Sequence, residues 1–222
     1  MTALVSDRGE PRSLGEAVGR GMEQFHHPRP VCTGKGEKAR PTVPRERLVT
    51  GLTGRVLEIG AGDGVKLTFF PADLEEIVLV EPDPFLRAVA RRSAAGARTP
   101  VRIVDGTASR LPIPDASCDA VVCSLILCCA PRLEVALHEV RRVLRPGGEL
   151  RFHEHQRSAH PVVALAESAV TPLWSRVCGG CHLARDVVAA IERAGFVVER
   201  LDHFSFCRVS HVVGVARAAR EE

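Results

Sequence analysis

The segment RVLEIGAGDGVKLTFF, Arg55 to Phe70, carries alternating glycines at Gly60, Gly62 and Gly64, with Glu58 before them and Asp63 among them. Glycines at a strand-to-helix turn let a ligand approach the main chain without meeting a Cβ. A second acid, Glu81, follows about 20 residues later, where a carboxylate accepts hydrogen bonds from two ribose hydroxyls. Together they predict a nucleoside ligand. The alternating spacing does not match the G-x-G-x-x-G fingerprint of dinucleotide dehydrogenases. A second group of reactive side chains, His153, Glu154 and His155, ends a later apolar run. His155, in a strand-end loop, is the candidate general base or orienter, and Glu154 beside it is the second catalytic candidate.

Cys178 and Cys181, in CGGCH, have the spacing of half a zinc site. Only the remote His203 and Cys207 are available to complete it, and no second C-x-x-C exists. The segment is therefore read as a tight glycine turn near the substrate mouth, leading into a helix at Ala184, and no metal is expected.

The elements that must position these residues follow from periodicity. Apolar runs of strand length are expected at Arg55–Ile59, Glu76–Val80, Val101–Val104, Ala120–Leu125, Gly148–His153, Val197–Phe204 and His211–Ala216. Helices are expected at Pro84–Ala95, Leu133–Leu144 and Ala184–Ala194, and LRPGGEL, Leu144 to Leu150, reads as the turn between a helix and a strand. Alternation of strands and helices predicts an α/β fold, a doubly wound, seven-stranded, mostly parallel sheet. The last two strands, joined by a short turn around Arg208, form a C-terminal antiparallel hairpin.

A chain of 222 residues accommodates one such domain with a full core. Residues 1–44, rich in Gly, Pro, His and Arg with one helical candidate at Leu14–Gln24, are read as a flexible cap or lid, and residues 45–222 as the catalytic domain. The net charge of +3 is small and its charges are interspersed, which gives no nucleic-acid-binding surface. The N-terminus lacks a signal-peptide pattern and no later run reaches the roughly 20 apolar residues of a membrane span, so a cytoplasmic location without a membrane anchor is expected. In that reducing setting the eight cysteines read as small apolar residues. Basic residues that are mostly Arg, with no Tyr, look like a high-GC bacterial coding bias.

VLEIGAGDG, VLVEPDP, DGTASRLPIPDASCDAVVCSLIL and EVRRVLRPGGELRFHEH occur in the order of the motifs of class I S-adenosylmethionine-dependent methyltransferases, and Arg55 to about Arg217 resembles that family. The resemblance implies its Rossmann-like fold and S-adenosyl-L-methionine as cofactor. Glu58, Gly60 and Gly62 would surround the methionine part, Glu81 would hold the ribose, and Thr107 and Ala108 would lie beside adenine. Pro82 and Ser124 are grouped with these cofactor-binding positions. Many members carry an acid at the place of Thr107. The adenine amino group would here meet a main-chain carbonyl, the Thr107 hydroxyl or Asp105. HHPRP and CTGKGEKARP, in the cap, read either as a solvated arm or as a lid bringing Lys35 or Arg40 to the methionine carboxylate.

A narrower resemblance, in GDGVKLTFFP, VVCSLILCCAP and PLWSRVCGGCHLARD, is to the alkyl-thiol methyltransferases of the methyltransferase-like group and their bacterial relatives. It implies methylation of a small molecule at sulfur by a monomer or homodimer. Methylation of a natural product or quinone at O, N or C is the alternative within the class, and a non-catalytic cofactor-binding module the alternative outside it.

Overall fold

The computed structural model describes residues 43–206 and 209–219. Most of the expected cap lies outside the described residues, including the Leu14–Gln24 helix, Lys35 and Arg40, as does the turn at Arg208. The described elements are α1 (Val43–Val49), β1 (Arg55–Ile59), a 3-10 turn (Val65–Thr68), β2 (Glu76–Val80), α2 (Pro84–Ala94), β3 (Val101–Val104), β4 (Cys118–Ser124) and α3 (Leu133–Val143). They continue as β5 (Leu144–His155), α4 (Pro161–Val177), α5 (Val187–Arg193), β6 (Phe196–Phe206) and β7 (Val209–Ala218).

The strands form one seven-stranded sheet in the order β3-β2-β1-β4-β5-β7-β6. β1 to β5 pair in parallel, and β7 runs antiparallel to both β5 and β6. Apolar runs such as Ile77–Val80 and Ala120–Cys123 are buried on both faces, as parallel strands under helices must be. One core layer holds Leu57, Val121, Leu137, Leu150, Phe152 and Ile191; the other holds Leu48, Val56, Leu67, Leu79 and Val122. The chain leaves β1 toward β2 on one side and later returns to β4 on the other. The crevice beyond the carboxyl ends of β1 and β4 is thus the switch point where ligands bind in such sheets.

Local chemistry explains where the boundaries fall. Asp83 caps α2, its carboxylate accepting from the N–H groups of Phe85 (2.7 Å) and Leu86 (3.2 Å), and Pro84 occupies the first turn, where its missing N–H costs nothing. β5 begins at Leu144, not at Gly148, because Pro146, Gly147 and Gly148 form an irregularity within the strand; the pairing shifts between Cys118–Leu144 and Ala120–Glu149. Asp119 holds it in place by accepting from the Arg55 N–H (2.7 Å) and the Arg145 guanidinium (2.6 Å). α5 starts at Val187, later than expected, since the Asp186 carboxylate accepts from Ala189 N–H and sets the helix start. α4 exposes Val162, Leu165, Leu173 and Val177. No helix among the described residues is long and apolar enough to cross a membrane.

Candidate active site

The turn after β1 is drawn against its neighbours by main-chain bonds from Gly60 N–H (2.8 Å) and Ala61 N–H (3.2 Å) to the Val80 carbonyl. Gly60 has φ of 67°, and a Cβ there would overlap Ile126 Cδ1, so only glycine lets the turn close against the loop that follows β4. Glu81 sits just beyond β2 and is buried. One carboxylate oxygen accepts from Gly62 N–H (2.8 Å) and the other from Asp83 N–H (2.9 Å). Desolvation pushes its pKa up and the two amide bonds oppose that rise. A carboxylate has room for about four hydrogen bonds, so two acceptor sites remain for ligand hydroxyls.

A cavity of about 320 Å³ opens at this crevice. That is near the lower end of the roughly 300–1,000 Å³ typical of small-molecule sites. Ile59, Gly60 and Pro82 form one side, residues 106–110 another, and Ile126 with residues 130–132 a third. Thr107 and Arg110 exchange main-chain hydrogen bonds (3.3 and 3.0 Å), which folds the 107–110 segment into a tight turn at the cavity wall. The lining joins apolar walls at Ile59, Pro82 and Ile126 and an uncluttered backbone at Gly60 to polar groups at Thr107, Ser109, Arg110 and Arg132, the mixture usual in small-molecule sites.

Of the positions singled out in the sequence, Gly60, Pro82, Thr107 and Ala108 line the cavity, while Gly62 and Glu81, joined to each other by a hydrogen bond, are not among its lining residues. Glu58 is elsewhere. It is fully buried and paired with Lys66, 2.6 Å away, so its charge is met by a side chain of the following 3-10 turn. Ser124 ends β4, in register with His153, outside the cavity lining.

The end of β5 also differs from expectation. None of His153, Glu154 and His155 lines the cavity. Glu154 is fully buried, and its carboxylate accepts from the N–H groups of Ile126, Leu127 and Cys128, each at 3.0 Å. Glu154, named with His155 as a catalytic candidate, anchors the loop after β4, where Leu125 has φ of 58°. His153 and His155 pack on the His211 ring, and His155 Nδ1 lies 2.9 Å from Cys181 Sγ. Burial, reinforced by His155, pushes His211 down to about 4. The thiols around His155 diverge: burial pushes Cys128 up; for Cys129 the lowering contact with Cys128 is outweighed by hydrogen bonding with Cys181 and by burial, so it too is pushed up; and hydrogen bonds from those two cysteines hold Cys181 low.

Sequence reasoning missed the arginines that hold these loops, because nothing in their local spacing marks them. Arg87 Nη1 donates to the carbonyls of Glu81 (2.8 Å) and Pro82 (2.6 Å) and to Asp105 (3.0 Å), tying the ends of β2 and β3 together. Arg142 donates to the carbonyls of Ile113 (2.8 Å) and Leu111 (3.0 Å), and to Glu139 and Asp115, bracing the segment that follows the 107–110 turn. Arg142→Met strands these acceptors, and a loss of about 1–3 kcal/mol is expected from the urea midpoint. The Arg142 guanidinium also holds the Glu139 carboxyl below its ordinary 4.5. The stabilisation from that pair is present above pH 4.5 and lost as pH falls through the folded-state pKa, so the gap between wild type and Arg142→Met should narrow in acid. A midpoint unmoved by the substitution would remove the bracing role.

The methyltransferase domain family matches residues 57–152, which spans β1 to most of β5. Thiol S-methyltransferase TMT1B of Rattus norvegicus is 34% identical over 151 residues, 66% of this chain and 62% of its own length. The Homo sapiens TMT1B is 32% identical over 178 residues, 75% of this chain and 72% of its own length. The chain thus spans about two thirds of the length of these relatives. An S-adenosylmethionine-dependent methyltransferase structure from Methanosarcina mazei superposes with a TM-score of 0.61 at 18% identity, covering 75% of this chain and 93% of that one. That likeness concerns the fold. A cavity at the switch point, the matched domain and these relatives together have one reading: the chain belongs to the class I S-adenosyl-L-methionine-dependent methyltransferases, in the family that includes the thiol S-methyltransferases.

Proposed function

We propose that the chain methylates the sulfur of a small organic thiol. The observation that carries the reading is its similarity to relatives named thiol S-methyltransferases across two thirds to three quarters of its length. The end of β5 supports it. Both oxygens of Glu154 are taken by amides and His155 Nδ1 is engaged by Cys181, so the two expected acid–base groups are committed within the fold. An alcohol or amine acceptor needs a base, whereas a thiol with a pKa near 8.5 ionises with modest help.

The bound cofactor supplies a methyl group already activated on a sulfonium, so the protein's task is alignment. In this reading Glu81 holds the ribose, Pro82, Thr107, Ala108 and Ile126 enclose the base, and the turn at Gly60 and Gly62 leaves room for the methionine part. Glu154 keeps the loop carrying Ile126 in place against that turn.

The test is a panel of small thiols, phenols, amines and quinols incubated with methyl-labelled cofactor, with products identified by mass. Thiol methylation is expected, rising with pH toward the thiol pKa. Methylation of phenols or quinols with every thiol inert would overturn the sulfur assignment. Cofactor binding without turnover on any acceptor would favour a non-catalytic module.

A further inference from the structure

By spacing alone Cys178 and Cys181 resemble half of a zinc site with no second half, and they are read above as a glycine turn without a metal. The fold gives Cys181 different company. Cys128 and Cys129 lie in the loop after β4, Cys181 in the turn after α4, and His155 at the end of β5. The Cys128 and Cys129 sulfurs are 3.5 Å apart, those of Cys181 and Cys128 3.9 Å, and all three lie within 4.8 Å of one another. His155 Nδ1 is 2.9 Å from Cys181 Sγ and 3.5 Å from Cys128 Sγ.

A tetrahedral zinc ion, with zinc–sulfur bonds of about 2.3 Å and zinc–nitrogen bonds of about 2.0–2.1 Å, sets its sulfurs about 3.8 Å apart and sulfur and nitrogen about 3.5 Å apart. The sulfur separations of 3.5 and 3.9 Å and the Cys128 Sγ–His155 Nδ1 distance of 3.5 Å lie close to those values, and the Cys181 Sγ–His155 Nδ1 distance of 2.9 Å is shorter, so that pair would part slightly around an ion. Simple packing of small apolar side chains accounts for buried cysteines but not for a ring nitrogen brought into their midst. We infer that Cys128, Cys129, Cys181 and His155 form a closed Cys₃His site for a thiophilic divalent cation, with zinc as the ion that suits the donor set.

The surroundings support a fixed site. Gly179 and Gly180 have φ of 59° and 83°, which turns the chain sharply so that Cys181 points back at the loop after β4. His182 N–H donates to the Cys128 carbonyl (3.0 Å), docking the two segments on each other. Arg185 Nη1 donates to the carbonyls of Leu127 (3.0 Å), Cys128 (3.2 Å) and Ala130 (2.8 Å). Three thiolates and a neutral imidazole around a dication leave one net negative charge, and the Arg185 guanidinium lies beside it. Any protons still on the cysteine thiols pass to solvent as the metal binds. With four protein donors there is no open position, so the ion would act as a clamp joining the loop after β4, the end of β5 and the turn after α4. The inference does not depend on which acceptor the protein methylates.

The full chain, purified under reducing conditions, is expected to carry zinc in a one-to-one ratio by elemental analysis. X-ray absorption at the zinc edge should give a shell of three sulfurs and one nitrogen. Replacement of zinc by cobalt should produce thiolate-to-cobalt charge-transfer absorption and the intense visible bands of a tetrahedral ion. Those bands should be lost in Cys181→Ser and persist in Cys178→Ser, which separates this cluster from a C-x-x-C site. If Cys181→Ser does not fold, the absorption shell of the wild-type chain decides alone. A folded, reduced chain that is free of metal and takes up no cobalt, an oxygen-rich or six-coordinate shell, or bands lost on Cys178→Ser and kept in Cys181→Ser would each overturn the inference.

Discussion

Glu154→Ala is expected to lower the melting temperature by roughly 10 °C, from a stability loss of about 3–5 kcal/mol at about 2–4 °C per kcal/mol for a domain of this size. The side chain is fully buried, and three consecutive amides of Ile126, Leu127 and Cys128 point at its two oxygens. Removing it leaves three inward donors with no acceptor, and each such group carries its own desolvation penalty. The loop it holds begins at Leu125, whose left-handed backbone is costly for a branched side chain and persists only where the surroundings enforce it. Glu154→Gln keeps one acceptor but turns an amide N–H₂ toward a main-chain donor, so an intermediate loss is expected. Thermal melts of the three proteins by circular dichroism check this, and an alanine variant melting with the wild type would show that the loop is held by other contacts.

Glu81→Ala should weaken binding of S-adenosylhomocysteine by roughly 10- to 100-fold, equivalent to about 1.4–2.8 kcal/mol. Two causes combine. In the proposed reading the carboxylate beyond β2 accepts from ribose hydroxyls, and it pins the N–H groups of Gly62 and Asp83, so its loss loosens both turns. Calorimetric titration measures the affinity, and a melt of the unliganded variant separates a binding defect from a folding defect. An affinity equal to wild type would remove Glu81 as the anchor of the ribose. Pro82, next to it in the cavity wall, makes a useful contrast: Pro82→Ala alters shape without removing a charge and should cost less.

How much of this was legible beforehand depended on the distance over which each feature is made. The first three strands fall where the apolar runs place them, because buried parallel strands are bounded by polar or turn-forming residues such as Gly54, Glu81 and Asp105. The start of α2 is equally plain, since Asp83 and Pro84 carry the capping chemistry in two adjacent letters. The β5 boundary was misplaced because Pro146–Gly148 has the composition of a turn, whereas the neighbouring β4 keeps the segment in the sheet as an irregularity. In the site, Gly60, Pro82, Thr107 and Ala108 could be picked out since each lies just past a strand end, where the topology brings ligands. The function of Glu154 could not, because its partners are 26 to 28 residues away and appear in no spacing rule. The cysteine cluster is the same case at longer range. Cys181 meets Cys128 across a separation of 53 residues, while its near neighbour Cys178 offered the familiar motif.

The strand order has a consequence for how the molecule is made. β6 touches the sheet only through β7, which lies between it and β5. A ribosome releases β6 before β7, so for an interval the earlier strand has no partner, and its apolar side chains, such as Val197 and Phe206, face solvent even in the finished sheet. The parallel layer from β1 to β5 can form in the order of synthesis, but the edge of β5 stays open until β7 arrives and closes against both neighbours. An open edge and a waiting strand are where pairing between chains begins. Closure of the sheet is therefore one late step, and crowding of chains is most hazardous just before it.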